Sequence, residues 1–235
     1  MEKVNLQKEL LKVIHCFKGP VHQAFVYTYY QSYTQNTDMY TFAVNTNKST
    51  NFSSRELHIL ELERRPIKLN TFLLYKVLQN CCMPVLSDNV DPVWSYNDTG
   101  FCTSKNKIEE ILASVISSYR ELLFKANKFS IVDFNNIMDV LLHNVCLLIE
   151  KSAEISKSRR WTEEKERLET IFSNIRKGDF LTYSENCTDI IRIESEFRAD
   201  LVEHLLWKEI RSFDASFWDL KVLHQCQEEV NPKDM

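Results

Sequence analysis

Glycine is the residue that most constrains this chain: 235 residues contain three, Gly19, Gly100 and Gly178. At the usual abundance of about 7%, roughly 16 would be expected. Loops that bring backbone against a phosphate need clustered glycines. These three are isolated, so the sequence holds no P-loop, no G-x-G-x-x-G fingerprint and no G-x-S-x-G elbow. Collagen-like and flexible-linker readings fall with them. An apolar fraction of 44%, with 11% aromatic, also excludes frank disorder. A helix-rich globular protein is what remains.

A chain of this length buries enough surface to fold without disulfides or metal. Its net charge is −4, with no basic excess of the kind a general nucleic-acid binder carries. Residues 1–103 hold 10 Lys/Arg against 9 Asp/Glu, and residues 104–235 hold 19 against 24. The N-terminal stretch is punctuated by Glu2, Lys3, Lys8, Glu9 and Lys12, so no secretory leader is read there. No long uncharged apolar window is apparent, and no membrane span is expected. The seven cysteines are then read as reduced thiols of an intracellular protein, cytoplasmic or nuclear.

Periodicity changes along the chain. Leu6, Leu10, Val13, Ile14 and Phe17 fall on one helical face, and Gly19-Pro20 reads as a helix stop. Residues 21–34 then alternate, with Phe25, Tyr27, Tyr29 and Tyr33 on one side, as in a strand. Tyr40, Phe42 and Val44 alternate in a second strand after a turn at 35–38. Residues 55–65 are read as a third strand, although Ser53-x-x-Glu56 matches a capping box and supports a helix there. Residues 70–80 are helical, and 83–102 form the longest irregular connection. The expected fold is therefore α+β and predominantly helical. An N-terminal helix and a short antiparallel β-meander make a module over 1–103. A bundle of four or five helices follows over 104–235, either as a second module or as one continuous domain with the first. The helix–meander–helix order is shared with small α+β interaction folds such as the RWD type. The Tyr-Pro-x-x-x-Pro loop of that type is absent, and no family is assigned.

The helical half is expected to contain 105–127, a central and largely buried 131–156, an acid-to-base 162–177 ended by Gly178, and either two helices over 188–212 and 214–229 or one helix kinked near Ser212-Phe213-Asp214. Asn136, Asp139, His143 and Glu150 mark the polar seam of the central helix.

Chemistry-bearing constellations are few. Cys81-Cys82 with Cys102 has no zinc-ligand spacing and reads as buried thiol. Asp139 and His143 stand at i,i+4, with Cys146 three residues on, the spacing of an orienting carboxylate, an imidazole and a thiol. This constellation is the basis for an alternative reading as a small Cys/His enzyme. Glu163, Glu164, Glu166 and Glu169 read as a solvated helix face. Neither a catalytic residue, a cofactor nor a metal ligand is assigned. Lys157, Arg159 and Arg160 with Trp161 make the most basic local patch, a candidate phosphate or nucleic-acid contact. Arg64-Arg65-Pro66-Ile67-Lys68 is a second.

Aromatic surplus is the strongest positive signal. Seven aromatics fall within residues 25–42, and Trp207, Phe213, Phe217 and Trp218 cannot all share one helical face. Aromatics anchor interfaces. Tyr27, Tyr29, Tyr30, Tyr33, Trp207 and Trp218 are accordingly the candidate partner-binding residues. The expected function is a non-catalytic interaction subunit or adaptor of a multiprotein complex, with protein partners and possible self-association. A weak nucleic-acid-binding accessory protein, acting through the two basic patches, is the other alternative, although nucleic acid is the less expected partner; a membrane is not expected.

Overall fold

The computed structural model describes residues 2–82, 100–125 and 130–178, all within the compact unit Met1–Glu194. Helix accounts for 79% of the described residues, and no strand occurs among them. The element order is α1 (Glu2–Cys16), a π-helical turn (Phe17–Val21), α2 (His22–Ser32), α3 (Met39–Asn45), α4 (Ser54–Leu62), α5 (Thr71–Cys81), α6 (Ile108–Lys125), α7 (Ile131–Ser156) and α8 (Trp161–Lys177). Short 3₁₀ turns at Lys48–Asn51 and Pro66–Lys68 flank α4.

The β-meander is thus overturned, and the α+β class with it. All three expected strands are helices: α2, α3 and α4. The physical reason is visible in α2. Ala24, Phe25, Thr28, Tyr29 and Ser32 are buried, a spacing of four that coexists with the alternation of Phe25, Tyr27 and Tyr29. Aromatic and β-branched residues favour strands only where a pleated surface awaits them. Here long-range packing decides instead. In α3 the buried pair is Met39 and Ala43, again four apart. For α4 the capping box was the better guide. Ser53 Oγ accepts from Glu56 N–H at 3.2 Å, and Glu56 Oε2 accepts from Ser53 N–H at 2.6 Å.

Gly19-Pro20 does not stop the first helix either. Cys16 and His22 on either side have helical dihedrals, and the chain runs from α1 into α2 through the π turn. Pro20 lacks an N–H and its ring crowds the carbonyl one turn back. Widening the turn relieves that clash without breaking the helix. The Phe17 carbonyl is taken by Thr71 Oγ1 at 3.1 Å, at the start of α5.

The central helix appears where the sequence predicted it. α7 starts at a capping box of Ser130 and Asp133, and Asn136, Asp139, His143 and Glu150 form its exposed seam. By length and composition α7 is apolar enough to cross a membrane, contrary to the expectation that no window would be. In this fold it is the core helix, packed by α1, α2, α6 and α8. The α1/α2 helix runs parallel to it. Lys12 Nζ sits over the Phe134 ring, Cys16 Sγ meets Met138 Sδ at 3.6 Å, and Thr28 Oγ1 lies 2.9 Å from Ser152 Oγ. Ser156 Oγ donates to Gln31 Oε1 at the far end. Helix α8 returns antiparallel, with Glu169 by Cys146 and Arg176 by Asp139. Gly178 ends it at φ 87°, donating to Asn174 and Ile175 carbonyls, as expected of a left-handed cap.

Gly100–Cys102 is tied to α6 and α7 by one buried amide. Asn144 Oδ1 accepts from Cys102 N–H at 2.9 Å, while Asn144 Nδ2 donates to the Gly100 carbonyl and to Ser114 Oγ, both at 3.2 Å. The helical bundle thus holds part of the irregular connection against itself. The remainder of that connection, and the helices expected over 188–212 and 214–229, lie outside the described residues.

Candidate functional site

The aromatic surplus converges on one end of α2. Tyr29 is buried and stacks on Tyr33, ring centroids 4.7 Å apart and 14° from parallel. Tyr33 meets Phe42 of α3 edge-on at 6.1 Å, and its hydroxyl donates to the Thr37 carbonyl at 2.7 Å. Burial pushes the Tyr29 phenol well above its ordinary range and Tyr33 up to about 12. Both remain neutral rings at physiological pH. Tyr30 stands edge-on to Tyr29 at 5.6 Å, with 61% of its surface exposed.

The six residues expected to bind a partner therefore separate. Tyr29 is core, and Tyr33 is a half-buried brace. Tyr27 is half-buried, and its phenol oxygen is buried without a hydrogen-bond partner. Only Tyr30 presents its ring to solvent among these four. Trp207 and Trp218 lie outside the described residues. Sequence reasoning missed Leu62, 67% exposed at the end of α4, and Val44, 42% exposed in α3. No local signal could have found them, because the strand assignment gave their segments a different inward face.

The basic patch occupies the turn between α7 and α8. Lys157 caps α7 in the left-handed conformation at φ 55°. Lys157, Arg159 and Arg160 are exposed, Trp161 is half-buried, and none of the three cations pairs with a described residue. Arg160 is the N-cap residue of α8, with no side chain closing the helix N-terminus. In the second patch, Arg64 Nη1 lies 3.4 Å from Asp38 Oδ2, across the surface from α4 to the start of α3.

The Asp139–His143–Cys146 constellation is dispersed. Asp139 pairs with Arg176 at 2.6 Å. His143 Nε2 lies 2.7 Å from the Cys102 carbonyl, so that nitrogen donates its N–H there. Cys146 is buried beside Glu169 Oε1 at 3.7 Å, and burial, reinforced by the Glu169 carboxylate, pushes its thiol up to about 12. Cys81 and Cys82 are also buried, and burial pushes both up to about 12. No nucleophile, base and orienting group are in line among these residues. No group of three metal-ligating side chains occurs among the described residues. An open groove between α7 and α8, floored by Met138, Leu142 and Phe172, carries Glu169, Ser173 and Arg176 on its rim.

What the described surface offers is thus an exposed aromatic ring packed edge-on to a buried one, and a turn of exposed cations that pair with no described residue. No family model matches the chain, and neither a curated protein nor a solved structure does.

Proposed function

We propose that the chain is a non-catalytic interaction subunit of an intracellular multiprotein complex, and that it docks a protein partner on the end of α2. The observation that carries this reading is Tyr30: a large ring, 61% exposed, on a helix whose neighbouring rings are locked by stacking. An aromatic side chain held in place loses little freedom on binding, which is what makes it an effective anchor. Val44 and Leu62 add exposed apolar surface on the neighbouring helices α3 and α4. Localisation in the cytoplasm or nucleus fits the five described cysteines, all of them free thiols.

The test is affinity purification from native cells with wild type and Tyr30→Ala side by side. The substitution removes an exposed ring and leaves the Tyr29–Tyr33 stack in place. The expected outcome is a defined set of companions with the wild type, depleted at least tenfold by the variant, since an anchor residue is worth at least about 1.4–2 kcal/mol. Companions retained in full by the variant would refute this docking face.

A further inference from the structure

Tyr30 and the basic turn are more than 120 residues apart in the sequence. The fold brings them to the same end of the α2–α7 pair. Thr28 and Ser152 hydrogen-bond at 2.9 Å, and one turn further on Ser156 Oγ donates to Gln31 Oε1. Helices α2 and α7 therefore end side by side. Tyr30, one residue before Gln31 and about 100° round α2 from it, and Lys157, the residue after Ser156, therefore lie at the same end of the helix pair, the ring on the outer side of α2.

On the basis of this juxtaposition, we infer that Tyr30 and the Lys157, Arg159 and Arg160 cations form one docking surface, and that its occupant is an acidic segment of a partner protein carrying a large apolar side chain among its carboxylates. The inference rests on the interaction-subunit reading above and adds the chemistry of the partner. Charge complementarity carries it. Three exposed cations stand within four consecutive residues and none pairs with a described carboxylate. Glu154, the acid nearest on the α7 side, is already held by Lys151 at 3.4 Å. Glu163, two residues into α8, is the first unpaired carboxylate beyond the turn. Oppositely charged partners are steered and oriented by such a patch, while an adjacent apolar anchor slows their release. A protein segment is favoured over nucleic acid because the patch is small and the chain as a whole carries −4. A polyanion with no apolar side chain would also leave Tyr30 without a partner except by base stacking.

Three fluorescein-labelled probes separate the cases by anisotropy on the full-length protein. These are a short peptide of glutamates around a central phenylalanine, the same peptide with glutamine for glutamate, and an oligouridylate of matched length. The glutamate peptide is expected to bind the wild type best. The combined Lys157→Glu, Arg159→Glu, Arg160→Glu variant should weaken it at least about tenfold, and Tyr30→Ala several-fold. The milder Lys157→Gln, Arg159→Gln, Arg160→Gln variant should show an intermediate loss, and unchanged circular dichroism of each variant shows that folding is not at issue. The inference is overturned if the glutamate peptide fails to bind the wild type, if charge reversal leaves its affinity unchanged, or if the oligouridylate binds more tightly. The two readings fail separately. Native companions lost with Tyr30→Ala but indifferent to charge reversal would leave the docking face standing and remove its acidic partner.

Discussion

At the scale of single residues, the three glycines have different jobs. Gly178 sits at φ 87°, where a β-carbon is strained, so Gly178→Ala should destabilise the protein by about 1 kcal/mol. Gly19 has no left-handed dihedral, and a methyl group built on it meets nothing within 4 Å. It lies in the continuous helical stretch, so Gly19→Ala should stabilise by up to about 1 kcal/mol. Urea denaturation distinguishes the two; a loss of stability for Gly19→Ala would contradict the continuous π-containing helix. His22 supplies a pH signature. Burial lowers its pKa from the ordinary 6.5, against the opposing bond to the Leu69 carbonyl at 2.8 Å, with Lys18 adding to the lowering. The unfolded state then binds the proton first, so this contribution to stability is complete above pH 6.5 and falls as the pH drops below it. Melting temperature should decline more from pH 7.5 to 5.5 in the wild type than in His22→Gln; equal declines would rule the contribution out.

At the scale of elements, the π turn depends on a bond from another helix. Thr71 is buried and its hydroxyl satisfies the Phe17 carbonyl. Thr71→Val should cost about 1 kcal/mol in urea denaturation, because a buried hydrogen bond between two helices is lost; an unchanged midpoint would show that the bond contributes nothing. The elements also show what was legible. Starts marked by side-chain chemistry, Ser53 with Glu56 and Ser130 with Asp133, could be read directly, because the cap and its helix are adjacent in sequence. The α7 seam was legible because its apolar residues cover most of the circumference. Helix α2 was not. Phe25 and Tyr29 fit period two with Tyr27 between them and equally fit a helical spacing of four, and the deciding surface is contributed by Ser152 and its neighbours on α7, more than 120 residues away. Gly19-Pro20 misled because the chain passes the proline through a widened π turn, a geometry the Gly-Pro pair does not announce, with the Phe17 carbonyl also bonded by Thr71, 54 residues distant.

At the scale of the whole molecule, the described core is organised around α7, with buried thiols inside it. Cys16, Cys81, Cys82, Cys102 and Cys146 are all buried. Under native conditions iodoacetamide should label these five slowly and at similar rates, with full labelling only on unfolding. One hyper-reactive thiol among them would restore the Cys/His enzyme reading. The candidate site was legible only in part. The excess of aromatics near residue 30 was read as an interface, but which ring faces outward depends on helical rather than strand geometry. Its place at the same end as the basic turn depends on two helix ends that only the fold aligns.

The central claim is that Tyr30 is the anchor of a protein-docking surface. Hydroxyl-radical footprinting with mass spectrometry, on the isolated protein and on the complex purified from native cells, tests it most directly. Tyr30 is expected to be readily oxidised in the isolated protein and strongly protected in the complex, while the buried Tyr29 is little modified in either. Equal oxidation of Tyr30 in both states would contradict it.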